Sequence, residues 1–570
     1  MASLLSPGVI SREIDLTTAT PAVASTEGGI ALDSKWGPAE KLVLVTDEVD
    51  LVDVFGKPDS SNAPRWFTAK NFLSYSGALY VSRAISSTAK NSVEKTNGTE
   101  GLLIKNEDHL ESLNIPSNAG KYAARYSGSI GNSLKVVVVD SSVFADSVYK
   151  DNFLSEPDKD ELHLLVLDEG GLFSGVKGTV LEKFEFVSKF GDAKNEDGTS
   201  NYYKKVINDS SEYIHVLDTE KASFGANTSD WVEFDSTTGL VSMVGAQQEA
   251  DILLNGDGST HVDFVYEMWQ GVDGTIQDSD LVTALDEFVD EELVDISFLL
   301  SGDGGTAIVN KVFDIVTSRQ DCLGVISPQL SDVVNNADPM TAIKTYRNSL
   351  SVGGLKDLKG SFMVMDDNWK YQFDKYNNVN RWVPCNGDTA GLMAETDIER
   401  AAWFSPGGRG LKNVIKLAWK SKKAERDVLY PLGVNSIATF PGEGAVLYGD
   451  RTMLKRPSAF DRINVRRLFI VLRKTISRTA RSFLFENNTP YTRERFKSTI
   501  VPFLEEVQGR QGITDFLVVC DGTNNTGQVI DQNRFIGDIY IKPSRSINFI
   551  ELNFVAVRTD VEFNEVVGSV

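Results

Sequence analysis

The sequence predicts a multidomain fold of mixed class, α/β with α+β parts: a middle α/β domain, extended N- and C-terminal arms and an outer β-rich insertion. Three observations carry that expectation. Strand and helix patterns alternate over residues 27–85 and resume after Asp280, as a mostly parallel sheet with helices on its faces requires. Between these blocks, from Ser86 to Gly274, the composition turns acidic and rich in Ser, Asn, Asp and Gly, with short alternating strands. Near the C-terminal end a long amphipathic helix pattern gives way to strand-like runs.

Met1 to about Thr26 has no helical period. Pro7-Gly8 reads as a turn, and Val9, Ser11 and Glu13 alternate against Ile10, Arg12 and Ile14. Such an arm cannot fold alone and needs a partner strand. The first α/β block then gives a strand at 41–46, helices at 48–55 and 64–75, and a strand at 78–85, with Gly56 and Gly77 at helix ends. Within the insertion, 134–139 and 213–217 are the clearest strands. After it come helices at 281–288, 306–318, 339–350 and 389–401, with strands at 294–300, 322–327 and 361–366. The expected domains are therefore 1–26 (arm), 27–85 with 275–420 (middle), 86–274 (insertion), 421–558 (C-terminal helix pair and strands) and 559–570 (tail).

From Asn464 to Phe485 the residues Val465, Leu468, Phe469, Leu472, Ile476, Ala480 and Phe483 form one apolar stripe at helical spacing. Arg466, Arg467, Arg473, Lys474, Arg478 and Arg481 occupy much of the remaining surface. A second helix starts at Thr489-Pro490, an N-cap followed by a first-turn proline, and buries Phe496, Ile500, Phe503, Leu504 and Val507, with a kink at Pro502. Strands follow at 516–520, 536–541 and 547–557, the last burying Ile550, Leu552, Phe554 and Ala556 on one face.

With 41% hydrophobic and 24% charged residues the chain can bury a large core, and 570 residues suit three or four domains of about 150 each. No apolar run approaches the roughly 20 residues of a membrane span, and Met1–Ile10 lacks the basic and apolar regions of a secretory signal. No membrane insertion is expected. Cys322, Cys385 and Cys520 have neither disulfide nor zinc spacing and read as buried bystanders. The net charge of −23 disfavours nucleic acid as a direct partner. Its distribution is uneven: residues 401–570 hold 25 basic and 17 acidic residues, while the other 400 hold 32 and 63. The basic end calls for an anionic partner.

Enzyme signatures are weak. Gly302-Asp303-Gly304-Gly305 lies between a strand and a helix but matches neither GxGxxG nor GxxxxGK[ST], so it reads as a tight turn. Asn255-Gly256-Asp257-Gly258 lacks the later ligands of a calcium loop and reads as a hairpin turn. All four histidines fall within 109–261, which denies His-dependent chemistry to the best-defined domains. No catalytic residue, metal or cofactor is assigned.

A set of motifs in fixed order resembles one family. Leu5-Ser6-Pro7-Gly8-Val9 with Glu13, Trp36-Gly37-Pro38, Thr46-Asp47-Glu48 with Phe55-Gly56, and Tyr126 to Asn132 are similar to contractile-tail sheath proteins. So are Asp197-Gly198 leading to Asn201-Tyr202, and Asn464-Val465-Arg466-Arg467-Leu468 with Phe485-Glu486 and Asn488. The nearest resemblance is to sheaths of T-even-like myophages, although that family often has Pro where Ser127 stands. The resemblance implies a structural subunit, not an enzyme, that forms six-membered rings stacked helically around an inner tail tube and contracts to drive the tube through the host envelope. It implies tube, baseplate and tail-terminator partners, a place in the virion tail and assembly in the host cytoplasm. Terminal arms would add strands to neighbouring subunits, and the six basic residues of the 464–486 helix would face the tube. The alternatives are a sheath of a headless injection system and, from another class, an acidic enzyme or carbohydrate-binding protein that works through the insertion.

Overall fold

A computed structural model describes residues 25–95, 101–115, 119–141, 143–217, 264–350 and 357–548, with four short strands between 232 and 261. The described residues divide between two compact units, one of 25–402 with 406–466 and the other of 403–405 with 467–548.

The first unit is built on an eight-stranded sheet. Its order is Leu42–Val45, Leu79–Arg83, Gly28–Leu32, Phe298–Leu300, Leu323–Ile326, Met363–Asp366, Val434–Phe440 and Gly444–Tyr448. The six inner strands run parallel and only the two edge strands are antiparallel. A parallel sheet is covered on both faces, and the strands 298–300, 323–326 and 363–366 are accordingly buried throughout. Gly28 and Gly29 show how tightly. A β-carbon at Gly28 would lie 2.7 Å from Phe72 of the Ala63–Leu73 helix, and one at Gly29 would lie 2.7 Å from Phe288. Consecutive strand residues point to opposite faces, so these two helical segments cover opposite sides of the sheet.

Helix ends follow local chemistry. Asp47 caps Glu48–Phe55 by accepting from the amides of Val49 and Asp50, and Gly56 ends the helix at φ 77°. The alternation expected over 27–85 and beyond 275 thus forms one sheet. That sheet also takes in 434–440 and 444–448, past the boundary expected at residue 420.

Residues from Val93 to Trp269 contribute a seven-stranded antiparallel sheet, ordered Thr179–Ser188, Glu161–Asp168, Leu134–Asp140, Phe264–Trp269, Val93–Glu94, Tyr122–Ala124 and Ile214–Val216. One face buries Val136, Val138, Leu164 and Val166 with Tyr122, Tyr202 and Tyr266; the other buries Val137, Val139, Leu165 and Leu167. The motif from Tyr126 to Asn132 sits at its base. Asn132 Oδ1 accepts from Gly271 N at 2.8 Å and Ser92 Oγ at 2.9 Å, and Asp273 accepts from Ser129 N at 2.9 Å. These bonds join the chain where it enters and leaves the insertion. Arg83 of the large sheet completes the joint, donating to the carbonyls of Ser34, Gly37 and Ser127 at 2.7–2.9 Å.

At the C-terminal ends of the parallel strands lies a sealed polar cluster. Lys370 Nζ meets Asp388 Oδ1 at 2.8 Å, Tyr75 Oη donates to the same oxygen at 3.0 Å, and Ser327 Oγ donates to Asp366 at 2.8 Å. Asp367 Oδ1 accepts from Ile437 N at 2.8 Å, tying strand 434–440 to its neighbour. Lys370, Asp366, Asp367 and Asp388 are all 0% exposed. Perturbed carboxylates at the carboxyl edge of an α/β sheet suggest chemistry, but a substrate cannot reach groups closed off this completely.

Burial pushes the Asp367 carboxyl up to about 7. Its folded form therefore holds the proton more tightly than the unfolded chain. The contribution of Asp367 to stability falls as pH rises from about 4 to about 7 and is level above that. Asp367→Asn, which keeps an acceptor for Ile437 N, should melt higher than wild type at pH 8, by a free energy on the order of 1–3 kcal/mol, and gain nothing below pH 4. Melting curves across that range check it; an equal gain at both ends would contradict it.

Candidate interaction surfaces

The second unit packs the Ile463–Arg481 helix from residue 467 onward, the Pro490–Gly509 helix and an antiparallel strand pair, Ile513–Val519 with Asp538–Pro543. Its core joins Leu468, Leu472, Phe496, Ile500, Leu504, Val507, Ile513 and Val518, with Phe503 partly buried beside them. Thr489 caps the second helix through Thr492 N, and that helix runs on through Pro502 to Gly509. Among the described residues the sheet has two strands, so each strand leaves one edge of amides and carbonyls without a ladder partner. One face is open as well: Leu517 and Tyr540 are register partners and are 58% and 60% exposed. An isolated strand pair is marginal in water, and an open edge beside an open apolar face is a template for another chain's strand.

The expected strand partners Val9, Ile10, Ser11, Arg12, Glu13 and Ile14 lie outside the described residues, as do Ile550, Leu552, Phe554 and Ala556. So does the 255–258 turn.

The six basic residues of the Ile463–Arg481 helix differ in burial. Arg466, Arg467 and Lys474 are buried, Arg478 is half-buried, and Arg473 and Arg481 are exposed. Arg466 stacks between Phe362 and Phe460, its guanidinium carbon 4.1 Å from each ring centre, and donates to Ser361 Oγ. Burial lowers its pKa to about 10. It therefore works inside the chain, and only a tertiary partner about 100 residues away in sequence reveals this.

The basic excess is also placed differently from its first reading. Of the residues 401–570, the stretch 401–466 holds 12 basic and 5 acidic residues, and 467–570 holds 13 and 12. Nearly all of the positive charge belongs to the unit with the large sheet, ahead of the C-terminal helix pair.

Sequence reasoning missed the exposed apolar turn after the first helix. Leu484 is 61% exposed, and Phe485 is fully exposed with φ 69°, a conformation that a bulky residue rarely adopts. Two adjacent apolar residues at the end of a helical stripe, one of them necessarily off it, were the available signal. At the other loop of interest, Asp303 ion-pairs with Arg65 at 2.6 Å, and the carbonyls of Gly302 and Gly304 accept from Asn386 and Gln329. An acidic side chain thus stands in a loop whose shape suggested a phosphate cradle, and the turn reading accounts for it.

Two family descriptions match the chain: "Phage tail sheath protein central domain" over residues 274–453 and "Phage tail sheath C-terminal domain" over 455–556. The tail sheath protein of Vibrio phage KVP40 is 32% identical, with 99% of this chain and 100% of that protein covered. The tail sheath protein of Enterobacteria phage T4 is also 32% identical, with 99% of each chain covered. Among solved structures, the sheath tail protein of Listeria innocua aligns over 93% of this chain and 94% of its own at a TM-score of 0.54 and 12% identity, a likeness of fold.

The division of the basic residues is directly testable. Arg466→Glu would bury a carboxylate between two rings and should destabilise the chain by about 3–5 kcal/mol, seen as an early thermal transition. Arg473→Glu, at an exposed position, should cost clearly less than that. Equal melting of the two variants would overturn the assignment.

Proposed function

The chain belongs to the phage tail sheath protein family, and from that premise we propose that it polymerises as stacked hexameric rings around an inner tail tube. The baseplate and tail terminator bound the stack, the tail is assembled in the host cytoplasm, and contraction drives the tube through the envelope. The observation that carries this reading is the strand pair of the second unit, its outer edges unpaired among the described residues, with the exposed Leu517–Tyr540 face. Arms at 9–14 and 550–556 have the alternation to complete such a sheet in a neighbour, and main-chain hydrogen bonds would then hold subunits together while they rotate. A heterologous contact of this kind does not close on itself and generates a helical array.

The role is mechanical, not catalytic. The extended sheath is a metastable state, and contraction releases free energy by enlarging the contacts between subunits. An extra ~400 Å² of apolar burial per subunit would supply about 10 kcal/mol, with no nucleotide consumed. The domain plan follows the sheets: residues 27–85 and 275 to about 450 form the middle domain, 86–274 the outer insertion, and the following helix pair and strands the inner layer. Arg473, Arg481 and the half-buried Arg478 remain the tube-facing candidates, since rim charges of this kind hold weakly and release readily.

Two measurements test the reading. The full chain should form tubes visible by negative-stain microscopy without nucleotide, and a chain lacking residues 1–16 should stay folded and soluble but form none. Tubes of unaltered yield from the shortened chain, or a strict need for ATP, would contradict it.

A further inference from the structure

A second small sheet, Trp369–Asp374 with Val379–Pro384 and Lys416–Leu417, is turned inside out. Along its central strand Lys370, Gln372 and Asp374 are buried, and Gln372 accepts from Asn71 of the Ala63–Leu73 helix at 3.0 Å. Of the alternate residues Trp369 is buried, Tyr371 is half-buried and Phe373 faces outward. Tyr371 and Trp382 pair across the strands at 4.7 Å, Phe373 is 53% exposed, and Lys416 Nζ lies 4.9 Å and 5.3 Å from the two ring centres. The chain leaving this sheet carries more cations. Residues 409–426 hold seven Lys and Arg against one acid, Glu425, and Lys416, Lys420, Lys422 and Lys423 are exposed. Among the described residues no carboxylate lies within ion-pair distance of those four lysines. An aromatic face rimmed with lysine, on a sheet whose polar residues point inward, is built for an acidic and partly apolar partner.

The same chain carries such a partner elsewhere. Residues 278–303 hold nine carboxylates and no Lys or Arg. At their centre the turn after Phe288 exposes Asp290, Glu291 and Glu292, flanked by Val289 at 44% and Leu293 at 77% exposure. The two surfaces cannot meet within one molecule. Phe72, on the helix that carries the small sheet, and Phe288, which leads into the acidic turn, cover opposite faces of the large sheet at Gly28 and Gly29.

We infer that the aromatic–lysine face around Tyr371, Trp382 and Lys416 receives the acidic Val289–Leu293 turn of a second copy of this chain. The contact joins different patches of two molecules, head to tail through the middle domain, and so propagates along an array. It adds a salt-sensitive steering element to the strand exchange of the second unit. It rests on the reading of the chain as a self-assembling subunit.

Charge exchange tests it. Lys420→Glu with Lys423→Glu, or Asp290→Lys with Glu291→Lys, should each raise the concentration needed for tube formation at least about ten-fold, with melting temperature unchanged. Combining both pairs in one chain should bring that concentration back to within about three-fold of wild type, because the reversed charges meet again. If a reversed variant melts early, Lys→Gln and Asp→Asn or Glu→Gln at the same positions replace it, and a smaller rise is expected. Single sets that assemble like wild type, or a combined chain worse than either, would overturn the contact while leaving the sheath reading in place. A wild-type chain that forms no tubes would sink both.

Discussion

Everything in the larger unit depends on covering both faces of six parallel strands. A parallel sheet has no solvent-facing side, so each strand residue needs a partner above or below. Gly28 and Gly29 mark two places where that need is tight, with Phe72 pressing on one face and Phe288 on the other. From this single constraint follow the two helix layers, the burial of strands 298–300, 323–326 and 363–366, and the placement of whatever lies outside each helix layer. The small aromatic sheet is held on one side and the acidic turn on the other. The distance between two chemically complementary surfaces is thus a by-product of core packing.

The insertion is attached by polar geometry as well as by apolar contact, Trp36 packing edge-on against Tyr126 and Phe173. Arg83 spends its guanidinium on three carbonyls, and Asn132 and Asp273 bind the entering and leaving strands together. Such a joint is directional, so it fixes an orientation that a greasy interface would leave freer. A subunit that transmits force through its domains needs that stiffness. The residues 126–132 that resemble the sheath family are, in this light, residues of a rigid joint.

Much of the fold was legible in the sequence. The helices at 48–55, 306–319 and 490–509 and the strands at 134–140 and 323–326 follow from period, caps and flanking glycines. Strand 434–440 was not legible, since Asn435, Ser436 and Thr439 break the apolar run; Asn435 is buried because it donates to the Met365 carbonyl, and Asp367 accepts from Ile437 N, both partners distant in sequence. Arg466 misled for a similar reason. On a helical projection it sits beside the polar face, and only Phe362 and Phe460 show that it is a core residue. The inverted strand 369–374 alternates as any strand does, and periodicity alone cannot say which of its two faces is inside. The candidate site was therefore half-visible: the helix pair and its strands could be read, but the burial of Arg466, Arg467 and Lys474 could not.

The account stands on strand exchange between copies, and hydrogen–deuterium exchange tests it most directly. Amides of residues 9–14 should exchange at least about a hundred-fold more slowly in assembled tubes than in the isolated subunit, together with the edge amides of 513–519 and 538–543. The inner strand 323–326 should show no change. Residues 9–14 that exchange equally fast before and after assembly would contradict the account.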